Sequence, residues 1–239
     1  MGQIWKQIVE NLSFVGTSAV IIALLWGAAK LAQHWLPKMH RVSPAKRITI
    51  VAVCGAIATI LHILDFPLPF LAPGFYKLDF SELPVLLCGF YLGPAATVTC
   101  EALKILLKLL LQGTSTAFVG DLANFAVGCS LVLPAVIIYH IYKTRRFAII
   151  GLTVGTICLT VFGSAFNAVY LLPKFAQLYG LPLESIIDMG SKIQPAITNI
   201  STFVLLAVAP LNLIKGVAVS VLTMLLYKKV AKPLFQLHR

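Results

Sequence analysis

"FPLPFLAPGFYKLDFSELPVLL", residues 66–87, decides how the rest of the chain is read. It carries four prolines and three charges, Lys77, Asp79 and Glu82, yet much of it is apolar. That is too greasy for a solvated linker and too charged and proline-rich for a membrane span. Non-helical backbone at membrane depth is tolerated only where protein or a cavity surrounds it. The stretch therefore reads as a half-buried loop between two spans. Its prolines at 67, 69 and 73 are expected to hold 66–78 extended, because proline fixes its own φ and pushes its predecessor out of the helical region. Asp79 is expected to start the next helix, with Glu82 three residues on completing a D-x-x-E cap that suits a helix N-terminus.

Composition agrees with a membrane setting. The chain has 239 residues, 59% hydrophobic and 11% charged, where a soluble domain carries roughly a quarter charged residues. Its apolar residues come in runs of about 20, the length of a helix that crosses the hydrocarbon core. The alternating ten-residue pattern of a membrane barrel is not visible. The fold expected is an all-α polytopic helix bundle. The net charge of +11 does not point to nucleic acid, because the basic residues cluster at the ends of apolar runs, as topology demands. The five cysteines (54, 88, 100, 129, 158) lie within those runs and form no C-x-x-C, so they read as small apolar residues. The histidines form no i,i+4 pair, and no metal site is expected.

Seven spans are expected: about 12–33, 47–64, a short one at 81–92, 94–111 after a tight Gly93-Pro94 turn, 117–142, 147–172 and 199–228. With the 38–47 loop placed in the cytoplasm, Lys30, Lys38, Arg41, Lys46, Arg47, Lys143, Arg145, Arg146, Lys228, Lys229, Lys232 and Arg239 are cytoplasmic. Only Lys6, Lys77, Lys174 and Lys192 fall outside. This bias predicts an N-out, C-in orientation. The first run has few positive charges before it and no clear A-x-A site after it, so it reads as an uncleaved extra helix rather than a signal peptide. The chain contains no G-x-x-x-x-G-K-[ST], so an energy source must come from partners.

Ionisable and amide groups inside spans are costly and mark function by default. Glu101, Lys104 and Lys108 lie on one face of the fourth span. Glu101 and Lys104 can neutralise each other, and Lys108 can snorkel to the surface. In "PLNLIKG", 210–216, Pro210 is expected to kink the last span, and Asn212 and Lys215 face the same way. Lys215 is too deep to snorkel. "GDLANFAVG", 120–128, adds Asp121 and Asn124; "SAFNAVYLLP", 164–173, adds Asn167 and Tyr170. Asn124, Asn167 and Asn212 all fall in the outer halves of their spans, below the greasy loop. Together they predict a pocket open to the outside for a small amphipathic molecule. Ala52 and Ala56 in the second span give a small-x-x-x-small spacing that lets another helix approach.

In order and spacing, "FPLPFLAPGFYKLDFSELPVLLCGFYLGP", "EALK", "GDLANFAVG", "FNAVYLLP" and "PLNLIKG" resemble the riboflavin-binding S component of energy-coupling factor (ECF) vitamin transporters. The resemblance runs over 47–230, and "LDFSELP" is its most specific element. It implies a six-helix substrate-binding unit at 47–239 preceded by an added segment, 1–46, holding the extra N-terminal helix and its basic loop. It implies a multi-pass protein of the bacterial cell membrane that captures riboflavin beneath its first long loop. Uptake is then driven by a transmembrane coupling protein and two ABC ATPases, with the S component toppling in the membrane to release its cargo. No cofactor is implied, since ATP is used by the partners alone. Asn167, Asn212 and Lys215 correspond to positions that hydrogen-bond the flavin ring and ribityl chain; Ala52 and Ala56 correspond to the contact with the coupling protein. One departure is Ile105, which stands where relatives often carry asparagine, and it argues against direct ligand contact there.

The residue chemistry suits such a ligand. Phe75, Tyr76 and Leu78 can cover a flavin ring, Asn167 offers both donor and acceptor to its edge, and Asn212 and Lys215 suit carbonyls or hydroxyls. Lys215 also suits the phosphate of flavin mononucleotide (FMN). The competing readings are an S component for another vitamin, a flavin-associated membrane protein that is not a transporter, and a ligand-free structural subunit. No catalytic pair, haem histidine set or H-E-x-x-H motif supports an enzyme.

Overall fold

The computed structural model describes residues 12–37 and 42–235. Lys6, Lys38, Arg41 and Arg239, four of the charges in the orientation count, lie outside the described residues. The chain forms an all-α bundle: α1 Leu12–Trp35, α2 Pro44–Ile63, α3 Glu82–Leu92, α4 Pro94–Gln112, α5 Val119–Tyr142, α6 Arg145–Phe166, α7 Leu172–Tyr179, α8 Leu183–Ser191, α9 Ile200–Phe203 and α10 Ala209–Phe235. A two-residue antiparallel ribbon, β1 (Phe66–Pro67) with β2 (Lys77–Leu78), pairs Phe66 with Leu78 and Pro67 with Lys77.

Local chemistry sets the helix ends. The Ser43 side chain accepts from Lys46 N, and Pro44 opens α2, where a missing N–H is harmless. Gly93, at φ 91°, ends α3 and starts α4 in one residue, a conformation that glycine adopts without strain. Before α5, Ala117 and Phe118 both have positive φ, at 46° and 68°. That turn is held by Thr114, whose Oγ1 accepts from Phe118 N at 2.9 Å.

Among the described residues, five helical stretches are long and apolar enough to cross a membrane: Gly16–Trp35, Pro44–Ile63, Val119–Tyr142, Arg145–Tyr179 and Ile200–Tyr227. The remaining two expected spans are of another kind. The 11 residues of α3 reach about 16 Å at 1.5 Å per residue, half of a hydrocarbon core. Every residue of α3 except Tyr91 is buried, so this helix is the axis around which α2, α4, α5 and α10 pack. The helix α4 carries Glu101 and Lys104 fully buried and turned inward. Lipid-facing positions such as Val53, Ile57, Ile157, Val161 and Leu205 are apolar and exposed. The tightest helix pair is α5 with α6. A Cβ on Gly151 would lie 2.5 Å from Ala135 O, and one on Gly155 2.4 Å from Leu131 O. The two backbones touch along this Gly-x-x-x-Gly stripe.

Two π-helical turns interrupt the long helices, at Asn167–Leu171 and Val204–Val208. Each begins six residues before a proline, Pro173 and Pro210. Proline cannot donate to the carbonyl four residues back, and a wider turn just before it absorbs the lost register. The expected Pro210 kink is thus a π turn, and a matching one carries Asn167.

Candidate functional site

A cavity of about 440 Å³ opens at the end of the bundle where α2 and α4 finish and α5 begins, within the usual range of about 300–1,000 Å³ for small-molecule sites. Its wall includes Asn124 on α5, Asn167 on the first π turn, and Asn212 and Lys215 on α10, with Phe75 and Tyr76 of the 66–78 loop above. The sequence expectation that these groups converge holds for those six residues. Leu78 is different. Neighbours on a ribbon point to opposite faces, so Lys77 lines the cavity while Leu78 is buried away from it.

The loop is a folded hairpin rather than the extended segment expected from its prolines. Leu71 N and Ala72 N both donate to Leu68 O, at 2.9 and 3.1 Å, and Tyr76 N donates to Pro73 O at 2.9 Å. Lys77 pairs with Asp65 at 2.9 Å across the ribbon base. Ala72 is fully buried against Leu172, Ile197 and Phe203. The Phe75 and Tyr76 ring centroids lie 4.8 Å apart, and Phe175 meets Phe75 edge-on at 6.4 Å. The Tyr76 hydroxyl donates to Asn167 Oδ1 at 2.6 Å, latching the loop onto the first π turn.

The amides are arranged around Gly163. Asn167 Nδ2 donates to Gly163 O at 2.7 Å, and a Cβ at Gly163 would come within 2.6 Å of Asn212 Nδ2. Asn212 Nδ2 is buried at the cavity wall and has no hydrogen-bond partner in the described structure. A buried amide donor ordinarily has one. Asn124 Nδ2 turns back to Gly120 O at 3.0 Å.

Asp79 and Glu82 do not cap α3 as expected. The N-cap is Ser81, without a side-chain cap bond. Asp79 Oδ1 instead accepts from Ser81 N at 2.9 Å, and Lys215 Nζ lies 3.0 Å from both Asp79 Oδ2 and Glu82 Oε1. Lys104 Nζ pairs with Glu101, contacts Glu82 Oε1 at 3.5 Å, and donates to Ser81 Oγ at 3.1 Å. His62 Nδ1 lies 3.5 Å from Asp79 Oδ2 without hydrogen-bond alignment. Burial pushes the Asp79 carboxyl up, but Lys215, with help from His62 and Lys104, holds it well below its ordinary value, so it stays ionised. The physical reason for the correction is the demand of two buried lysines for counter-charges, which outweighs the weaker attraction of a helix end. Lys108 does not snorkel; its Nζ pairs with Asp121 Oδ1 at 2.8 Å and donates to Gly113 O at 3.0 Å. Sequence reasoning did not assign His62, Thr116 or Phe175 to the cavity. Thr116 and the strained turn beside it carry no motif, and only the nearby Asp121 hinted at the 113–121 segment.

A membrane-spanning bundle around a lidded, amide-lined cavity has the form of a solute-binding subunit. Residues 46–227 match the family described as "ECF transporter, substrate-specific component". The chain is 33% identical over 186 residues, 78% of its length and 90% of the relative's, to the riboflavin transporter RibU of Staphylococcus aureus (strain TCH60). It is 30% identical over 195 residues, 81% of its length and 96% of the relative's, to the riboflavin transporter FmnP of Bacillus subtilis (strain 168). A solved structure described as "Structure and mechanism of the S component of a bacterial ECF transporter" superposes with a TM-score of 0.63 at 34% identity, covering 82% of this chain and all of that one. The chain belongs to the ECF transporter substrate-specific component family. It is a multi-pass membrane protein, and S components of this kind work with transmembrane and ATPase partner subunits. The helix α1 lies ahead of the matched residues.

Proposed function

We propose that the cavity captures riboflavin from outside the bacterial cell for ATP-driven uptake by a coupling protein and two ATPases. The observation that carries this reading is the unpartnered Asn212 Nδ2 beside Asn167, under the Phe75–Tyr76 lid. Two amides suit the donor–acceptor edge of an isoalloxazine ring, and the clustered aromatic rings of Phe75, Tyr76 and Phe175 suit its apolar face. The names of the relatives point the same way. Riboflavin is favoured over FMN because each lysine at the cavity is already neutralised: Lys77 by Asp65, Lys108 by Asp121, and Lys215 by Asp79 and Glu82. A phosphate would compete with carboxylates for every one of them.

The cavity then faces the outside, the N-terminus lies outside and the C-terminus inside, and α1 is a seventh span added to a six-helix core. Ala52 and Ala56 are exposed on α2, where small side chains admit a helix of the coupling protein. Fluorescence titration of riboflavin with the purified chain tests the ligand. Riboflavin should bind, N212A should weaken it about tenfold, the loss of roughly one ligand hydrogen bond, and FMN should bind more weakly than riboflavin. Absence of flavin binding, or unchanged affinity in N167A, N212A and K215A alike, overturns the reading.

A further inference from the structure

A second recess, of about 550 Å³, lies at the opposite end of the bundle, between α1, the start of α2 and the start of α4. It is lined by Trp26, Lys30, Gln33 and His34 of α1, Arg47 of α2 and Thr99 of α4. Its electrostatics are the reverse of the lidded cavity's. Among the described residues no carboxylate lines it, and none of Lys30, His34 and Arg47 is in an ion pair.

The recess is organised by contacts between elements. Trp26 Nε1 donates to Thr99 Oγ1 at 3.2 Å. Ala95 N, in the first turn of α4, donates to Gln33 Oε1 at 3.3 Å. Between them Lys30 Nζ sits 4.6 Å over the Trp26 ring, a placement that orients the ammonium without neutralising it. Ala29 is buried with Val98, Ile105 and Phe125, which fixes α1 against the bundle. Three basic side chains from two helices thus surround one space, a concentration of donors and positive charge that suits phosphate oxygens. Beside the recess, Leu31, Trp35 and Ile48 are largely exposed. A free phosphate ion gains nothing from such surface, whereas acyl chains do.

We propose that this recess binds a phosphate-bearing anion, and that its source is the headgroup of an anionic phospholipid whose acyl chains lie along α1 and α2. Basic pockets between helices at a membrane face take such headgroups. The site belongs to α1 as much as to the core, so the added helix completes a lipid site that the family-matched residues form only in part.

The test uses the full purified chain and native mass spectrometry with phosphatidylglycerol and phosphatidylcholine of identical acyl chains, each with and without excess inorganic phosphate. Phosphatidylglycerol should be retained about tenfold or more over phosphatidylcholine, the scale of one to two cation contacts. The double variant K30Q/R47Q should lose that preference, K30R/R47K should keep it, and K143Q/R146Q, removing two charges from the same end of the bundle, should leave it intact. Retention unchanged in K30Q/R47Q, or equal loss in K143Q/R146Q, overturns the site. Displacement of the lipid by inorganic phosphate overturns the lipid as its source. If K30Q/R47Q does not fold, the headgroup preference of the unaltered chain and of K30R/R47K still decides.

Discussion

Replacing Lys215 by methionine keeps the side-chain stem and removes only the ammonium that lies 3.0 Å from both Asp79 and Glu82. Glu82 retains Lys104 at 3.5 Å, but Asp79 is left with the donors of Ser81 and with His62 Nδ1 at 3.5 Å, and loses its lysine. Orphaning one partner of a buried pair costs about 3–5 kcal/mol. The Lys215 side chain is 11% exposed and borders the cavity, so water relieves part of the loss and the low end, about 3 kcal/mol, applies. At about 2–4 °C per kcal/mol for a chain of this size, K215M should melt about 6–12 °C lower without ligand. D79N alone should do less harm, because Glu82 still holds Lys215. In K215M/D79N the uncompensated carboxylate is gone, and more than half of the K215M loss should return. Thermal unfolding of the ligand-free protein in detergent measures all three, and because no flavin is present the outcome is independent of binding. A double variant that falls by the sum of the single losses would show no coupling and refute the reasoning that Lys215 compensates the buried Asp79 carboxylate.

Two further substitutions probe close approaches. A Cβ at Gly128 would sit 2.3 Å from Glu101 Oε1, so G128A should displace the buried Glu101–Lys104 pair and destabilise the bundle by about 1–3 kcal/mol; an unchanged melting temperature would rule this out. G163A, whose Cβ would meet Asn212 Nδ2 at 2.6 Å, should turn that amide out of place. It should weaken riboflavin about three- to tenfold, on the order of one hydrogen bond, while barely moving the melting temperature, and equal affinity in a titration would contradict it.

How much of this was legible in the sequence depended on distance along the chain. The helices follow from apolar runs and from local punctuation such as Gly93-Pro94, which appears where those residues stand. The converging asparagines were legible too, since depth within a span can be counted from its ends. Asp79 and Glu82 were misread because D-x-x-E is a local cap pattern, while the groups that claim these carboxylates are Lys104 and Lys215, on other helices. Lys108 was misread for the same reason: its distance to the surface is visible in sequence, but its partner Asp121 lies across a turn. The prolines of the lid fix φ at three positions yet say nothing of the pairing between 66–67 and 77–78 that folds it. The basic recess was hidden inside the charge bias, because Lys30 and Arg47 serve equally well as orientation signals.

The pairing of Lys215 with Asp79 bears on how the protein is made. The partners are separated by 136 residues, which a ribosome adds in roughly 7–27 s at about 5–20 residues per second. For that interval Asp79 and Glu82 have entered the nascent bundle without their later cation, and α3 is too short to hold itself in the bilayer. The growing chain must therefore keep its first half hydrated or sheltered by the insertion machinery until α10 arrives. A chain truncated before α10 would leave Asp79 without the lysine that neutralises it.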